Sequence, residues 1–279
     1  MRNEDPKQKA LTFRELHHGP KILLLPNVWD VVSARIIEEA GYPALATTSA
    51  GIAFSLGYPD GEKIPKEEMF ARIARICRAV RVPVTADVEA GYGNRPEDAA
   101  ATATAVIEAG AVGINLEDGS GDPANPLVNL SLQLEKIKAM REAAVKTGVL
   151  LVVNARTDVY LRAVGSTEEE RYRLALERVL AFRDAGADCV FVPGLRDRAV
   201  IEKLVNEVKC PVNILAQAGY PSIPELEKLG VARVSLGSGP MRVSVSLLKR
   251  LADELKGSGT YSLLEGAIPG TELNKLMGR

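Results

Sequence analysis

The chain has 279 residues, with 35 Lys and Arg against 36 Asp and Glu, for a formal net charge of −1. That balance excludes the broad basic surface of a phosphate-driven nucleic-acid binder, and a composition 46% hydrophobic and 25% charged excludes disorder for the whole chain. No apolar run approaches the roughly 20 residues that span a bilayer. The first residues, Met1-Arg2-Asn3-Glu4-Asp5, are polar, and Cys77, Cys189 and Cys210 are scattered rather than spaced as a disulfide framework. A cytoplasmic protein with no membrane or nucleic-acid partner is expected.

Residues 21–28 form a nearly continuous apolar run, the pattern of a strand buried on both faces of a parallel sheet. A helical stripe of Val31, Val32, Ala34, Ile36 and Ile37 follows over 29–40 and stops at Gly41, and a second strand is expected over 44–49. The unit then recurs. Strands are expected over 82–89, 112–118, 150–158, 189–194, 211–216 and 231–237. Amphipathic helices separate them over 66–80, 96–109, 130–147, 167–185, 197–208 and 223–229. Pro96 before Glu97 and Asp98 marks a helix start, Ser166 with Glu169 has capping-box spacing, and Gly41, Gly110, Gly186 and Gly230 each close a helix.

About eight strands alternating with about eight helices define an α/β fold, a (β/α)8 TIM-type barrel. It is read as one domain over 1–279, with a polar N-terminal extension over 1–20 and a C-terminal tail over 257–279. The tail, with Tyr261, Leu263, Leu264 and Ile268, is apolar enough to pack on the barrel or on a neighbouring subunit. An open doubly wound sheet lacks support. Gly237-Ser238-Gly239 runs into Pro240-Met241-Arg242 instead of completing a dinucleotide fingerprint, and no Walker-type loop occurs.

Barrel chemistry gathers at the C-terminal strand ends and the loops after them. The third strand ends in Thr85-Ala86-Asp87-Val88-Glu89, whose carboxylates at i and i+2 on an extended segment share a side. The fourth ends in Asn115-Leu116-Glu117-Asp118, and the loop after the second carries Tyr58-Pro59-Asp60-Gly61. Asp60, Asp87, Glu89 and Glu117 thus converge with little local positive charge, and crowded carboxylates repel unless a cation neutralises them. Oxygen-only ligands suit Mg2+, with Mn2+ as the alternative; His17 and His18, the two histidines, precede the first strand and build no zinc site. The bland alternative is that these acids cap the helices that follow. On the fifth strand, Arg156 at a buried end needs an anion, either a neighbouring acid or a substrate carboxylate. Thr47-Thr48-Ser49-Ala50-Gly51 offers hydroxyls and free N–H groups to a carboxylate, and is also an ordinary strand-to-loop turn.

The segment Asp87-Val88-Glu89-Ala90-Gly91-Tyr92-Gly93-Asn94 resembles the metal-binding segment of the isocitrate lyase / phosphoenolpyruvate mutase superfamily. The resemblance runs over about 24–242 and includes Leu56-Gly57-Tyr58-Pro59-Asp60, Asn115-Leu116-Glu117-Asp118, Asn154-Ala155-Arg156-Thr157-Asp158 and the late 237–242 stretch. It implies a Mg2+-dependent barrel acting on 2-oxo or 2-hydroxy carboxylic acids. Asp87 then contacts the metal, while Asp60, Glu89 and Glu117 hold its waters. Arg156 faces the substrate, and Thr47, Thr48 and Ser49 receive its carboxylate; Asn125 and Asn213 join the substrate set. It also implies a homotetramer, a dimer of dimers in which the last helix is exchanged between neighbours.

The departures narrow the chemistry. Lyases of this family that cleave isocitrate or methylisocitrate carry a Lys-x-Cys-Gly-His loop after strand four. Here the stretch is Gly119-Ser120-Gly121-Asp122-Pro123-Ala124-Asn125-Pro126, without Cys, His or Lys. Phosphonomutases place Lys and Asn there, and only Asn125 and Asn129 correspond. The second acid is Glu89 where the best-known members have Asp. The expected activity is a Mg2+-dependent carbon–carbon lyase, cleaving or decarboxylating a small 2-oxo or 2-hydroxy acid through an enolate, but not isocitrate or methylisocitrate lyase itself. Arg156 steadies the developing charge, and Tyr92 or Ser120 delivers the proton. Two alternatives stay open: a phosphonate or phosphoenolpyruvate mutase or hydrolase using Ser235-Leu236-Gly237-Ser238-Gly239, and a barrel that binds 2-oxo acids without turnover. A Schiff-base aldolase is excluded, because no strand carries an interior lysine.

Overall fold

In the computed structural model, which describes residues 5–278, the alternation expected from the sequence is realised. The strands are β1 (Leu23–Leu25), β2 (Asn27–Val28), β3 (Leu45–Thr47), β4 (Val84–Asp87), β5 (Gly113–Glu117), β6 (Val152–Arg156), β7 (Cys189–Phe191), β8 (Val212–Leu215) and β9 (Arg233–Ser235). The helices are α1 (Pro6–Leu16), α2 (Val31–Glu39), α3 (Ser49–Ser55), α4 (Lys66–Ala79), α5 (Pro96–Glu108), α6 (Leu130–Thr147), α7 (Glu168–Asp184), α8 (Arg198–Val208), α9 (Ile223–Lys228), α10 (Gly239–Gly257) and α11 (Gly270–Met277).

All strand pairs are parallel, in the order β1-β9-β8-β7-β6-β5-β4-β3-β2. The first barrel strand is split because Pro26 brings no N–H to the ladder: β1 pairs with β9 before it, and β2 pairs with β3 after it. The two halves complete the barrel, so eight barrel strands account for nine hydrogen-bonded segments. Outside, Ile73 and Ile76 of α4, Ile137 and Met140 of α6 and Val179 and Phe182 of α7 are fully buried in one apolar cluster with the strands. Each contributes about 1.5–3 kcal/mol from removal of apolar surface from water.

The barrel interior is partly polar. Asn154 donates Nδ2 to Asn115 Oδ1 at 2.7 Å, Arg233 donates Nη2 to the same oxygen at 3.2 Å, and Asn213 donates Nδ2 to Ser235 Oγ at 3.2 Å. Arg233 is entirely buried there and has no carboxylate within ion-pair distance among the described residues. Its guanidinium lies 6.0 Å from the Phe13 ring and 3.4 Å from His17 Nε2, both contributed by α1 and the residue after it.

That arrangement gives the N-terminal segment a definite place. Residues 1–20, read from sequence as a polar extension, contain α1, which is capped by Asp5 and buries Ala10 and Phe13. Residues 49–55, expected as a turn, form α3, and the expected C-terminal helical extension begins earlier than the 257–279 tail, with α10 at Gly239–Gly257. The helix after Ser166 starts one residue later than the expected box: Thr167 accepts from Glu170 N at 3.1 Å, and Glu170 Oε2 accepts from Ser166 N at 2.8 Å. In the tail, α11 packs on α2, where Arg35 donates to the Leu276 carbonyl. Among the described residues no helix is long and apolar enough to cross a membrane.

Candidate active site

Asp87 is the last residue of β4, and its environment is set by β3. Its N–H donates to Thr47 Oγ1 at 2.9 Å, while Ser49 donates its N–H and Oγ to Asp87 Oδ2 at 3.1 and 2.8 Å. The other oxygen, Oδ1, is buried with no hydrogen-bond partner. Thr47, Thr48 and Ser49 were expected to receive a substrate carboxylate, but the structure commits two of their hydroxyls elsewhere. Thr47 serves the Asp87 amide, and Thr48 caps α3 by accepting from Gly51 N at 3.3 Å. Ser49 alone of the three faces a site carboxylate with its side chain.

Glu89 departs from the extended geometry expected of it. The strand ends at Asp87, and Glu89 adopts a left-handed conformation with φ of 53°. Glu62 (φ 56°) and Tyr92 (φ 55°) do the same, a conformation that costs non-glycine residues of order 1–3 kcal/mol each and collects at functional sites. The three are interlocked. Glu62 N donates to Glu89 Oε2 at 2.7 Å, and Tyr92 N donates to Glu62 Oε1 at 2.7 Å. Glu89 Oε1 is buried and unpartnered. Behind this loop the buried Lys136 of α6 donates to the carbonyls of Ala90 and Gly93, the latter at 3.0 Å. Gly91, at φ 96°, lies against Leu116; a Cβ there would stand 3.1 Å from Leu116 Cδ1.

The other half of the mouth is neutralised, which corrects the expectation of little positive charge. Glu117 and Arg156 are register partners on β5 and β6, and Arg156 Nη1 stands 2.7 Å from Glu117 Oε2. Arg156 Nε donates to Asp158 Oδ1 at 2.6 Å, and Asp158 Oδ2 meets Arg162 Nε at 3.1 Å. Asp118 accepts from Asp158 N at 2.8 Å and pairs with Arg178 Nε at 2.5 Å; Arg178 also donates to the Val128 carbonyl at 2.6 Å. Asp60, Asp87 and Glu89 make no ion pair among the described residues.

These surroundings shift the titrations as electrostatics requires. Burial, then the charges of Asp87 and Asp60, push Glu89 up to about 8, against the pull of the Glu62 amide. Burial and Asp87 raise Asp60 at the exposed rim. Burial raises Glu117 against the attraction of Arg156; Arg156, despite its own burial, is held protonated by Glu117 and Asp158. The Tyr92 hydroxyl, buried and surrounded by Glu89, Glu62, Asp87 and Asp60, is pushed far above the usual phenol value. It therefore stays protonated and has no hydrogen-bond partner in the structure.

Three expected residues fall outside this cluster. The Ser120 hydroxyl donates to the Asn125 carbonyl and accepts from Asp122 N at 3.0 Å, so it organises its own exposed loop. Asn125 donates Nδ2 to Asp122 Oδ2 at 3.0 Å within the same loop. Asn213 is completely buried inside the barrel, bonded to Ser235. Conversely, Glu62, Lys136, Asp158, Arg162 and Arg178 shape the site without having been picked out. Glu62, Asp158 and Arg162 had a legible signal, standing within four residues of Asp60, Arg156 and Asp158 respectively; Lys136 and Arg178 act across distances that spacing does not connect.

Two buried carboxylate oxygens, Asp87 Oδ1 and Glu89 Oε1, have no hydrogen-bond partner, and buried polar atoms ordinarily have one. The donors are all oxygen, which suits a hard divalent ion. Among the described residues no three His, Cys, Asp or Glu side chains stand close enough to ligate one ion together. An ion that keeps its waters and takes few direct protein contacts fits, and Mg2+ behaves in that way.

The parallel barrel carries acids and a paired arginine at its strand ends, and comparison with known proteins finds the same fold. The phosphoenolpyruvate phosphomutase family profile matches residues 13–256, and the chain belongs to the phosphoenolpyruvate mutase / isocitrate lyase superfamily. An uncharacterized protein of Mycobacterium tuberculosis is 37% identical over 231 residues, covering 82% of this chain and 83% of that one. A solved structure from Burkholderia cenocepacia J2315, described only as a lyase/mutase, superposes with a TM-score of 0.92 at 36% identity, covering 98% and 97% of the two chains. The 2,3-dimethylmalate lyase of Eubacterium barkeri is 28% identical over 281 residues, covering 96% of this chain and 94% of the lyase.

Proposed function

We propose that this protein is a Mg2+-dependent carbon–carbon lyase that cleaves or decarboxylates a small 2-oxo or 2-hydroxy carboxylic acid. The observation that carries the reading is the pair of unpartnered buried oxygens, Asp87 Oδ1 and Glu89 Oε1, beside a half-mouth whose arginine is already fixed in place. Asp87 is assigned the direct contact to the ion, with Asp60, Glu89 and Glu117 holding its waters. An ion held there would supply Lewis-acid stabilisation of negative charge developing on the substrate.

The chain's own residues do the rest. Arg156 is locked by Glu117 and Asp158, so its guanidinium does not reorganise when negative charge grows on the substrate. Ser49, held by Asp87, presents the turn at the start of α3 to the substrate. Tyr92, kept protonated, is the candidate donor of the final proton at its Oη. Ser120 is set aside as a donor because its hydroxyl is spent within its loop. Loss of CO2 needs no strong base, in keeping with the absence of Cys, His and Lys from 119–126. The likeness to 2,3-dimethylmalate lyase supports bond cleavage next to a hydroxyl-bearing carbon. A homotetramer working in the cytoplasm completes the proposal.

The test is product release from a panel of 2-oxo and 2-hydroxy acids, with and without Mg2+. Release of pyruvate or another keto acid that stops with EDTA and returns with Mg2+ is the expected result; turnover indifferent to EDTA sinks the mechanism. Release of inorganic phosphate from a phosphonate would redirect the site to the mutase and hydrolase chemistry. Tight binding of acids without any product would make it a binding barrel.

A further inference from the structure

We propose that Glu62 is a positioning residue for the candidate metal site: its side chain clasps the Tyr92 amide, which docks 60–64 so that the Glu62 N–H pins Glu89 Oε2 and leaves Oε1 free for the water shell of the cation. The inference rests on the reading of Asp87 and Glu89 as the residues that hold the ion.

The geometry is reciprocal. One residue of the loop after α3 donates from its backbone to the acid and accepts with its side chain from the backbone three residues beyond that acid. Neither bond is within a helix or strand, and both ends sit in left-handed conformations that L-residues adopt only when held there. Lys136 anchors the back of the same loop through the carbonyls of Ala90 and Gly93. Glu62 is what holds the front. A long carboxylate arm such as Glu89 has three rotatable bonds, and fixing one oxygen decides where the other points. Residues that orient a metal-holding carboxylate in this way are worth about 10- to 100-fold in metal affinity.

The experiment is Mn2+ binding to the metal-free full-length chain, followed by electron paramagnetic resonance, for wild type, Glu62→Ala, Glu62→Gln and Asp87→Asn. Gln retains an oxygen that accepts from the Tyr92 amide but carries no charge. Glu62→Ala is expected to weaken Mn2+ binding about 10-fold or more, and Glu62→Gln to stay close to wild type. Unchanged binding in Glu62→Ala overturns the clasp. Equal weakening in both Glu62 variants overturns it too, because charge rather than positioning would then be at work. A general loosening of the fold would not be rescued by Gln. Asp87→Asn separates the two levels: if it binds Mn2+ as wild type does, the metal site itself is wrong, whereas its loss of binding beside normal Glu62 variants sinks the clasp alone.

Discussion

Arg156 and Glu117 face each other in register across β5 and β6, with 2.7 Å between Nη1 and Oε2. The mouth of the barrel is thereby divided. On one side three arginines, Arg156, Arg162 and Arg178, are matched to Glu117, Asp118 and Asp158; on the other, Asp60, Asp87 and Glu89 have no cation of the chain's own. On the present proposal the divalent ion is held from the second side, and Arg156 faces the substrate from the first.

Removing Arg156 should therefore cost stability as well as activity. Arg156→Met leaves Glu117 without a cation and the fully buried Asp158 with Arg162 alone, and stranding a buried charge in this way costs about 3–5 kcal/mol. Urea unfolding should show that loss. Adding Glu117→Gln should recover part of it, since the stranded charge is then gone. If Arg156→Met alone unfolds at the wild-type midpoint, the pair is not the fixed element described.

Metal dependence should track Asp87. Its Oδ2 is occupied by Ser49 and its Oδ1 is bare, so Asp87→Asn replaces one acceptor with a donor at the point assigned to the ion. Turnover of whichever acid the wild type accepts should fall by at least two orders of magnitude, roughly the scale of losing one preorganised electrostatic contact. Steady-state rates at saturating Mg2+ check this. A variant retaining most of the wild-type rate would remove Asp87 from the mechanism.

The barrel was legible because its signals are local: strands buried on both faces read as apolar runs, and each helix ends a few residues before the next strand. The acids were legible because they sit at strand ends. What could not be read was conformation after the strand. Glu89 and Asp87 share a side in an extended chain, but the strand stops at Asp87 and the next turn is left-handed. Thr48 looked like a ligand group because a helix cap and a carboxylate receptor use the same hydroxyl chemistry. Arg178 reaches Asp118 from sixty residues away, and Lys136 reaches Ala90 from forty-six, so neither leaves a mark in spacing. The polar look of 1–20 hid α1 because its buried face is narrow, with Ala10 and Phe13 as its apolar members.

His17 supplies a pH dependence with a definite sign. Burial, then the adjacent Arg233, lowers its pKa to about 3, with the Phe13 carbonyl pulling the other way and His18 adding a smaller push. An unfolded histidine titrates near 6.5. Between these values the unfolded chain takes a proton that the folded chain refuses. The stability His17 permits is complete above about 6.5 and drains as pH falls toward 3, by at most about 1.4 kcal/mol per unit. Glu89, raised to about 8, acts in the opposite sense at higher pH, so the informative quantity is a difference between chains. Calorimetric midpoints of wild type and His17→Gln between pH 4.5 and 7 should diverge, the variant falling less steeply. Parallel curves would mean that the imidazole is not held neutral against Arg233.

The helix after the last strand presents an exposed apolar stripe. Val243, Leu247, Leu251 and Leu255 recur every four residues along α10, with Val243 70% and Leu255 50% exposed, and Val245 and Leu248 widen the stripe. An exposed apolar stripe of that length is the kind of surface a symmetric assembly buries. A second copy is the natural occupant, because a symmetric assembly buries the same stripe on every subunit at once. Size-exclusion chromatography with light scattering should give a mass above the monomer, four chains on the present proposal. Val243→Glu with Leu247→Glu should shift it to smaller species while leaving the circular dichroism of the barrel intact. A wild-type monomer at micromolar concentration, or a double variant that still assembles fully, would show that the stripe is not the contact.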